Sequence, residues 1–240
     1  MSYASGMCGR YPSTRAAPLI DAIEAAQVAD AAVAGVLAKA PGMPKGLTSW
    51  WAPRWNVAPT QPVRAIVLAD GAPRLTLARW GLVAPPRGPS LAPIINARAE
   101  SVATSRLFRG ALASGRCLVV ADGFYEWRDQ DGARVPVRIA PVDDDRAITF
   151  AAVARDSTRD GLTITELAII TTAAGGLVAP IHERQPAVIA PGDRARWLDP
   201  GVPVAGVADL LAPSALAGWA VLDAPRWLNN ARVEHDAAPS

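Results

Sequence analysis

The chain has 240 residues, half of them hydrophobic and 19% charged, which excludes an intrinsically disordered protein and allows one substantial core. Twenty-four basic residues stand against 22 acidic ones, so the net charge of +2 announces no polyanionic partner through its field alone. Two cysteines make no disulfide framework, and the first ten residues lack the apolar run of a signal peptide.

Ser13 or Thr14 can cap a helix over about 18–40, with Leu19, Ile23, Ala26, Ala29, Val33 and Val36 or Leu37 at helical spacing. Asp21, Glu24 and Asp30 disqualify this Ala-rich stretch as a membrane span. Pro41, Gly42 and Pro44 end it, and 41–62 reads as a loop containing Trp50, Trp51 and Trp55. A hairpin follows, with strands at 63–68 and 74–80 joined by the favoured turn pair Asp70-Gly71. Residues 84–95 form a proline-rich loop, and 100–113 a second helix. The stretch 117–127 is a strand broken at Asp122-Gly123; further short strands are expected at 134–139, 147–154 and 163–172. A short helix at 193–198 and a strand at 219–222 complete the series. No internal repeat and no interior linker appears. The predicted fold class is α+β, a single domain with a curled, barrel-like, mostly antiparallel sheet flanked by a few helices.

Six places carry groups able to do chemistry. Cys8 lies in Met7-Cys8-Gly9-Arg10. A cysteine that begins a chain offers an amine and a thiol on adjacent carbons, which together capture an aldehyde as an imine and then a five-membered thiazolidine. The alternative is a small buried apolar residue, the common fate of a free cysteine. Cys117, between strand formers, reads as core. His182 sits in the polar run Ile181-His182-Glu183-Arg184-Gln185-Pro186, which is either an acid–base and anion-binding group or a solvated turn. His235 reads as a spectator. Glu126, between Tyr125 and Trp127, is either a solvated edge residue or a desolvated acid. Asn96-Ala97-Arg98-Ala99-Glu100 would present Asn96, Arg98 and Glu100 to one side if extended, or would simply cap the helix that follows. Two separated cysteines and two separated histidines give no metal-ligand spacing, and the sequence has no phosphate-binding glycine loop.

The order of these blocks resembles a known family. Met7-Cys8-Gly9-Arg10-Tyr11, Trp55-Asn56-Val57-Ala58-Pro59-Thr60, Trp80-Gly81-Leu82, Ile95-Asn96-Ala97-Arg98-Ala99-Glu100, Asp122-Gly123-Phe124-Tyr125-Glu126-Trp127 and Ile181-His182-Glu183-Arg184-Gln185-Pro186 follow one another as in the SOS response-associated peptidase (SRAP) family. That family consists of abasic-site processing proteins. The resemblance implies a thiazolidine crosslink between Cys8 and abasic sites in single-stranded DNA, with Asn96 orienting the amine and Glu126 and His182 as the acid–base pair. It implies phosphate contacts from Arg98 and Arg184, and a DNA-facing surface that includes Arg10, Asn56, Pro59 and Trp80. It implies no cofactor, no metal and no membrane, a monomer, and a cytoplasmic, nucleoid-associated protein. Residues 1–7 then form an extension that is removed, by the protein itself or by initiation at Met7; residues 8–235 form the domain and 236–240 a tail. Two other readings compete. An N-terminal-nucleophile cysteine amidohydrolase also begins Met-Cys-Gly, and a non-covalent single-strand binder would need only the tryptophans and arginines.

Overall fold

The computed structural model describes residues 9–14, 40, 42, 45, 49–83, 92–142, 147–159 and 161–234. Residues 18–39 of the expected helix, Cys8, most of the proline-rich loop and His235 lie outside the described residues. The strands are β1 (Tyr11–Ser13), β2 (Arg54–Val57), β3 (Pro62–Ala69), β4 (Ala72–Trp80), β5 (Asn96–Arg98), β6 (Arg116–Ala121), β7 (Phe124–Gln130), β8 (Ala133–Pro141), β9 (Ile148–Arg159), β10 (Leu162–Ala173), β11 (Arg184–Pro186), β12 (Val188–Ile189) and β13 (Trp219–Asp223). Among the described residues the helices are α1 (Ala99–Val102), α2 (Arg109–Ser114) and α3 (Arg194–Leu198), with 3-10 turns at Pro191–Asp193, Val204–Leu211 and Arg226–Asn229. No helix among them is long and apolar enough to cross a membrane.

Strands β10, β4, β3, β6 and β9 are hydrogen-bonded in that order, and β9 pairs back onto β10, so five strands close a barrel. Its ladders are antiparallel except where β10 runs parallel to β4 and β5. A three-stranded sheet, β13-β8-β7, and the pair β1-β2 stand beside it. Successive residues of the barrel strands feed two different clusters: Leu118 and Val120 of β6 enter one, Cys117, Val119 and Ala121 the other. Both faces are therefore covered, which is why these strands read as apolar runs and not as alternations.

The hairpin β3–β4 turns on Asp70 (φ 52°) and Gly71 (φ 77°), the left-handed pair its turn chemistry calls for. Between β6 and β7, Gly123 has φ 144°, and a Cβ there would stand 2.6 Å from the carbonyl oxygen of Ile139. The break expected at Asp122-Gly123 is thus a contact only glycine fits. The helix expected over 100–113 is two pieces. Thr104 Oγ1 donates to the Ser101 carbonyl and Ser105 Oγ accepts from the Leu107 N–H, local bonds that compete with a continuous helix. Part of the expected loop at 41–62 is strand β2, which pairs with β1, more than forty residues away in sequence.

Candidate active site

Four segments far apart in sequence meet because their apolar flanks share one cluster. Tyr11 and Phe124 are buried members of it, and Ile95 and Ile181 pack against it. Each is next to, or within a few residues of, a group singled out for chemistry. Tyr11 lies three residues past Cys8, Ile95 precedes Asn96, Phe124 stands two before Glu126, and Ile181 precedes His182. Aromatic contacts tie the members together: the Tyr11 ring lies 5.4 Å from Trp80 and 5.8 Å from Phe150, edge-on to the latter. Burial of these apolar side chains holds the segments that carry Asn96, Glu126 and His182 against one core.

Asn96, on β5, is buried and opposes Ile169 in a parallel ladder. Glu126, on β7, is buried opposite Val137. One residue before it, the Tyr125 N–H donates to the Arg10 carbonyl (3.0 Å), so the start of the described chain forms a bridge against β7. Cys8, two residues before Arg10, lies outside the described residues.

Strand β10 organises the rest. Its edges are occupied by β4 then β5 on one side and by β9 then β11 on the other, so Thr171 pairs with both Arg98 and Pro186. His182 precedes β11. Its Nδ1 stands 3.0 Å from the Arg184 backbone nitrogen and 3.1 Å from the Arg184 carbonyl oxygen. With a proton on Nδ1 the ring donates to the carbonyl and leaves Nε2 as a base; without it, Nδ1 accepts from the N–H and Nε2 carries the proton. The backbone serves either tautomer, and the half-buried ring suits an acid–base role. Arg184 crosses the end of β10: Nη1 and Nη2 donate to the two oxygens of Glu100 (2.6 and 2.9 Å), and Nη2 donates to the Thr171 carbonyl (2.6 Å). These hydrogen bonds hold the Glu100 carboxyl below its ordinary pKa. Arg98, two residues before Glu100, is exposed.

Two expected surface residues lie inside. Trp80 is 1% exposed, and its indole N–H donates to the Ile95 carbonyl (2.8 Å). It cannot offer a face to a base; packing on Tyr11, it props up the residue before Asn96. Asn56 is fully buried, accepting from Arg10 Nη1 (2.8 Å) and donating through Nδ2 to the carbonyls of Asn230 and Val233 (2.9 and 3.1 Å). Arg10 also donates to the Leu228 carbonyl and lies over Trp127, its centroid 5.9 Å away. Burial lowers the pKa of this guanidinium. Pro59 is half-buried, in a turn closed by the Gln61 N–H to the Ala58 carbonyl (3.3 Å), where Thr60 holds φ 71°. Left-handed backbone at a β-branched residue is strained. Cys117 is buried in the core as expected, its thiol pushed up in pKa by burial.

Sequence reading singled out neither Glu234 nor Tyr11, and gave Glu100 no role. Glu100 stood in a recognised block, but nothing local signalled its partner 84 residues away.

A closed barrel carrying these groups in this order defines an SRAP protein: the model of the SOS response associated peptidase (SRAP) family matches residues 7–231, and the chain belongs to that family. Among its relatives is abasic site processing protein YoaM of Bacillus subtilis, 36% identical over 152 residues, covering 62% of this chain and 66% of the relative. Abasic site processing protein YedK of Escherichia coli is 32% identical over 145 residues, covering 60% of this chain and 64% of the relative. The chain thus spans about two thirds of the length of these relatives. A crystal structure of a protein from Bacteroides thetaiotaomicron superposes with a TM-score of 0.71 at 20% identity, covering 94% of this chain and 96% of that one, a likeness of fold.

Proposed function

We propose that Cys8, once it is the first residue of the chain, captures the aldehyde of an abasic site in single-stranded DNA as a thiazolidine. The Cys8 amine adds to the aldehyde carbon of the ring-opened sugar, and the carbinolamine loses its hydroxyl as water to give an imine. The thiolate then adds to the imine carbon, and the nitrogen takes up a proton. Each step needs a proton delivered or removed, which is work for a carboxylate and an imidazole. Glu126 and His182 fill those roles, and Asn96 orients the amine. Arg98, Arg184 and Arg10 meet the phosphates, with Pro59 at the rim; Asn56 and Trp80 act from within by holding Arg10 and Asn96. No step calls for a cofactor, and one copy of the chain suffices.

The convergence of the four segments on one apolar cluster carries this reading. Tyr11, Ile95, Phe124 and Ile181 share it, and the residues beside them are the ones this chemistry requires. Membership in a family whose relatives are called abasic site processing proteins points the same way. The mechanism sets one condition. While Met7 is peptide-bonded to Cys8, the cysteine nitrogen is an amide and forms no imine. Removal of residues 1–7 by the protein itself would use the same thiol: Cys8 attacks the Met7 carbonyl, the nitrogen leaves as the free amine, and water hydrolyses the thioester.

Mixing the protein with an abasic oligonucleotide and resolving the products by denaturing electrophoresis and intact mass tests the proposal. A chain beginning at Met7 and trimmed to Cys8 should form a heat-resistant adduct, and Cys8→Ala should not. An equally durable adduct with Cys8→Ala, or one formed through Cys8 by a chain shown to retain residues 1–7, would overturn the thiazolidine. At saturating DNA, Glu126→Gln and His182→Ala should slow the single-turnover rate by about a hundredfold or more while leaving affinity within a few fold.

A further inference from the structure

Glu100 has no part in the chemistry above, yet it holds the best-coordinated cation of the site. Its two oxygens take the Arg184 guanidinium side-on at 2.6 and 2.9 Å, while the Thr171 carbonyl takes Nη2 at 2.6 Å. These two partners of Arg184 are unequal. The Thr171 carbonyl belongs to a buried strand and cannot move away. The Glu100 side chain is 54% exposed, on the four-residue helix α1, whereas that of Arg184 is 11% exposed. The carboxylate therefore covers the guanidinium from the solvent side. A backbone phosphate presents the same pair of oxygens to an arginine fork, and it must arrive from that side.

We propose that Glu100 is a displaceable internal anion: it occupies the Arg184 fork in the free protein, and a DNA phosphate replaces it on binding. Thr171 keeps the guanidinium aimed during the exchange. The proposal rests on Arg184 being a phosphate ligand, as in the function above. Glu100 then acts as a threshold. A polyanion that does not deliver a phosphate to Arg184 leaves the pair closed and meets a site with one cation fewer. A strand in the productive register opens it, and Glu100 turns to solvent.

The test is equilibrium binding of an oligothymidylate without an abasic site, followed by anisotropy across a salt series. The variants are Glu100→Gln, Arg184→Gln, their double variant, and Glu183→Gln. Glu183 is exposed and adjacent to Arg184 in sequence, so its loss removes an equal charge nearby. Glu100→Gln should bind about three- to tenfold tighter, the range for losing a competing bidentate ion pair at a half-exposed site. Its salt slope should stay within about 0.7 of the wild-type slope, the increment for one phosphate on a single strand, because Arg184 meets a phosphate in both complexes. Glu183→Gln should gain about twofold or less, as expected for screened surface charge, and the Glu100→Gln gain should vanish once Arg184 is Gln. Equal gains in the two glutamate variants, or a gain that survives Arg184→Gln, would show a general charge effect and overturn the proposal. Weaker binding by a normally folded Glu100→Gln would overturn it too, because Glu100 would then be a permanent brace. If Arg184→Gln alone costs no affinity, the displacement idea falls while the Cys8 chemistry stands. A wild-type protein that neither binds oligothymidylate nor crosslinks abasic DNA removes both.

Discussion

Two arginine–glutamate pairs each join parts of the chain distant in sequence, and their surroundings differ sharply. Arg54 and Glu234 face each other at 3.6 Å with both side chains 2% exposed. Glu234 also accepts the backbone N–H groups of Trp55 (2.5 Å) and Asn56 (3.0 Å), and Arg54 donates to the Pro62 carbonyl (2.9 Å) and to Gln61. Arg184 and Glu100 are closer and better aligned, yet half of the glutamate is in water. In the buried pair, desolvation outweighs attraction for both partners: burial is the largest influence on each, raising the Glu234 pKa and lowering that of Arg54. In the exposed pair, hydrogen bonding from the partner is the largest influence, and Glu100 is lowered. Good geometry therefore does not identify the structural pair; burial does. Arg54–Glu234 fastens the C-terminal segment over β2, beneath the Asn56 that holds Arg10. Arg184–Glu100 lies where a ligand can reach it.

The widest separation between the pairs should come from truncating each carboxylate. Glu234→Ala leaves a buried guanidinium and two backbone N–H groups without their acceptor, and should cost about 3–5 kcal/mol in denaturant unfolding. Glu234→Gln keeps an acceptor for Trp55 and Asn56 but turns amide N–H donors toward the Arg54 guanidinium, and should cost about 1–3 kcal/mol. Glu100→Ala should fall within about 1 kcal/mol of wild type, as exposed pairs do. Comparable losses at 234 and 100 would break the distinction between fastening and latch.

How far the sequence foretold this arrangement depends on whether the partner was local. The β3–β4 hairpin was legible because Asp70-Gly71 supplies its own left-handed turn, and the β6–β7 break because Gly123 marks a close approach. Strands β1, β2, β5 and β12 were not, since each has two to four residues and pairs with a segment far along the chain, and the three residues of β11 are too few to show an alternation. The candidate chemical groups were legible as motifs, whereas the apolar cluster that their segments share is a product of folding. Trp80 was misjudged for the same reason that the barrel strands read as unbroken apolar runs. With both faces covered, an aromatic in such a strand carries no sign of which way it points. Glu234 has nothing nearby to distinguish it from a solvated tail residue; its meaning comes from Arg54.

The smallest effect, and the one that separates the pairs by sign, is the pH dependence of stability. For Glu234 the folded-state pKa lies above the ordinary value of 4.5, so the folded state holds its proton more tightly than the unfolded chain does. Its contribution is then fully present below 4.5 and is lost as pH rises through the raised folded value. For Glu100 the folded value lies below 4.5, and the unfolded chain is the one that holds the proton more tightly. That contribution is present above 4.5 and is lost as pH falls through the lowered value. The difference in unfolding free energy between wild type and Glu234→Gln should therefore shift against wild type as pH rises above 4.5. The same difference for Glu100→Gln should shift against wild type only as pH falls below 4.5, and by less, because solvent screens that pair. Unfolding titrations of the three proteins on both sides of pH 4.5 measure this directly. Slopes of the same sign at the two positions would mean that the attraction to Arg54 outweighs burial at Glu234, making the two pairs alike in kind.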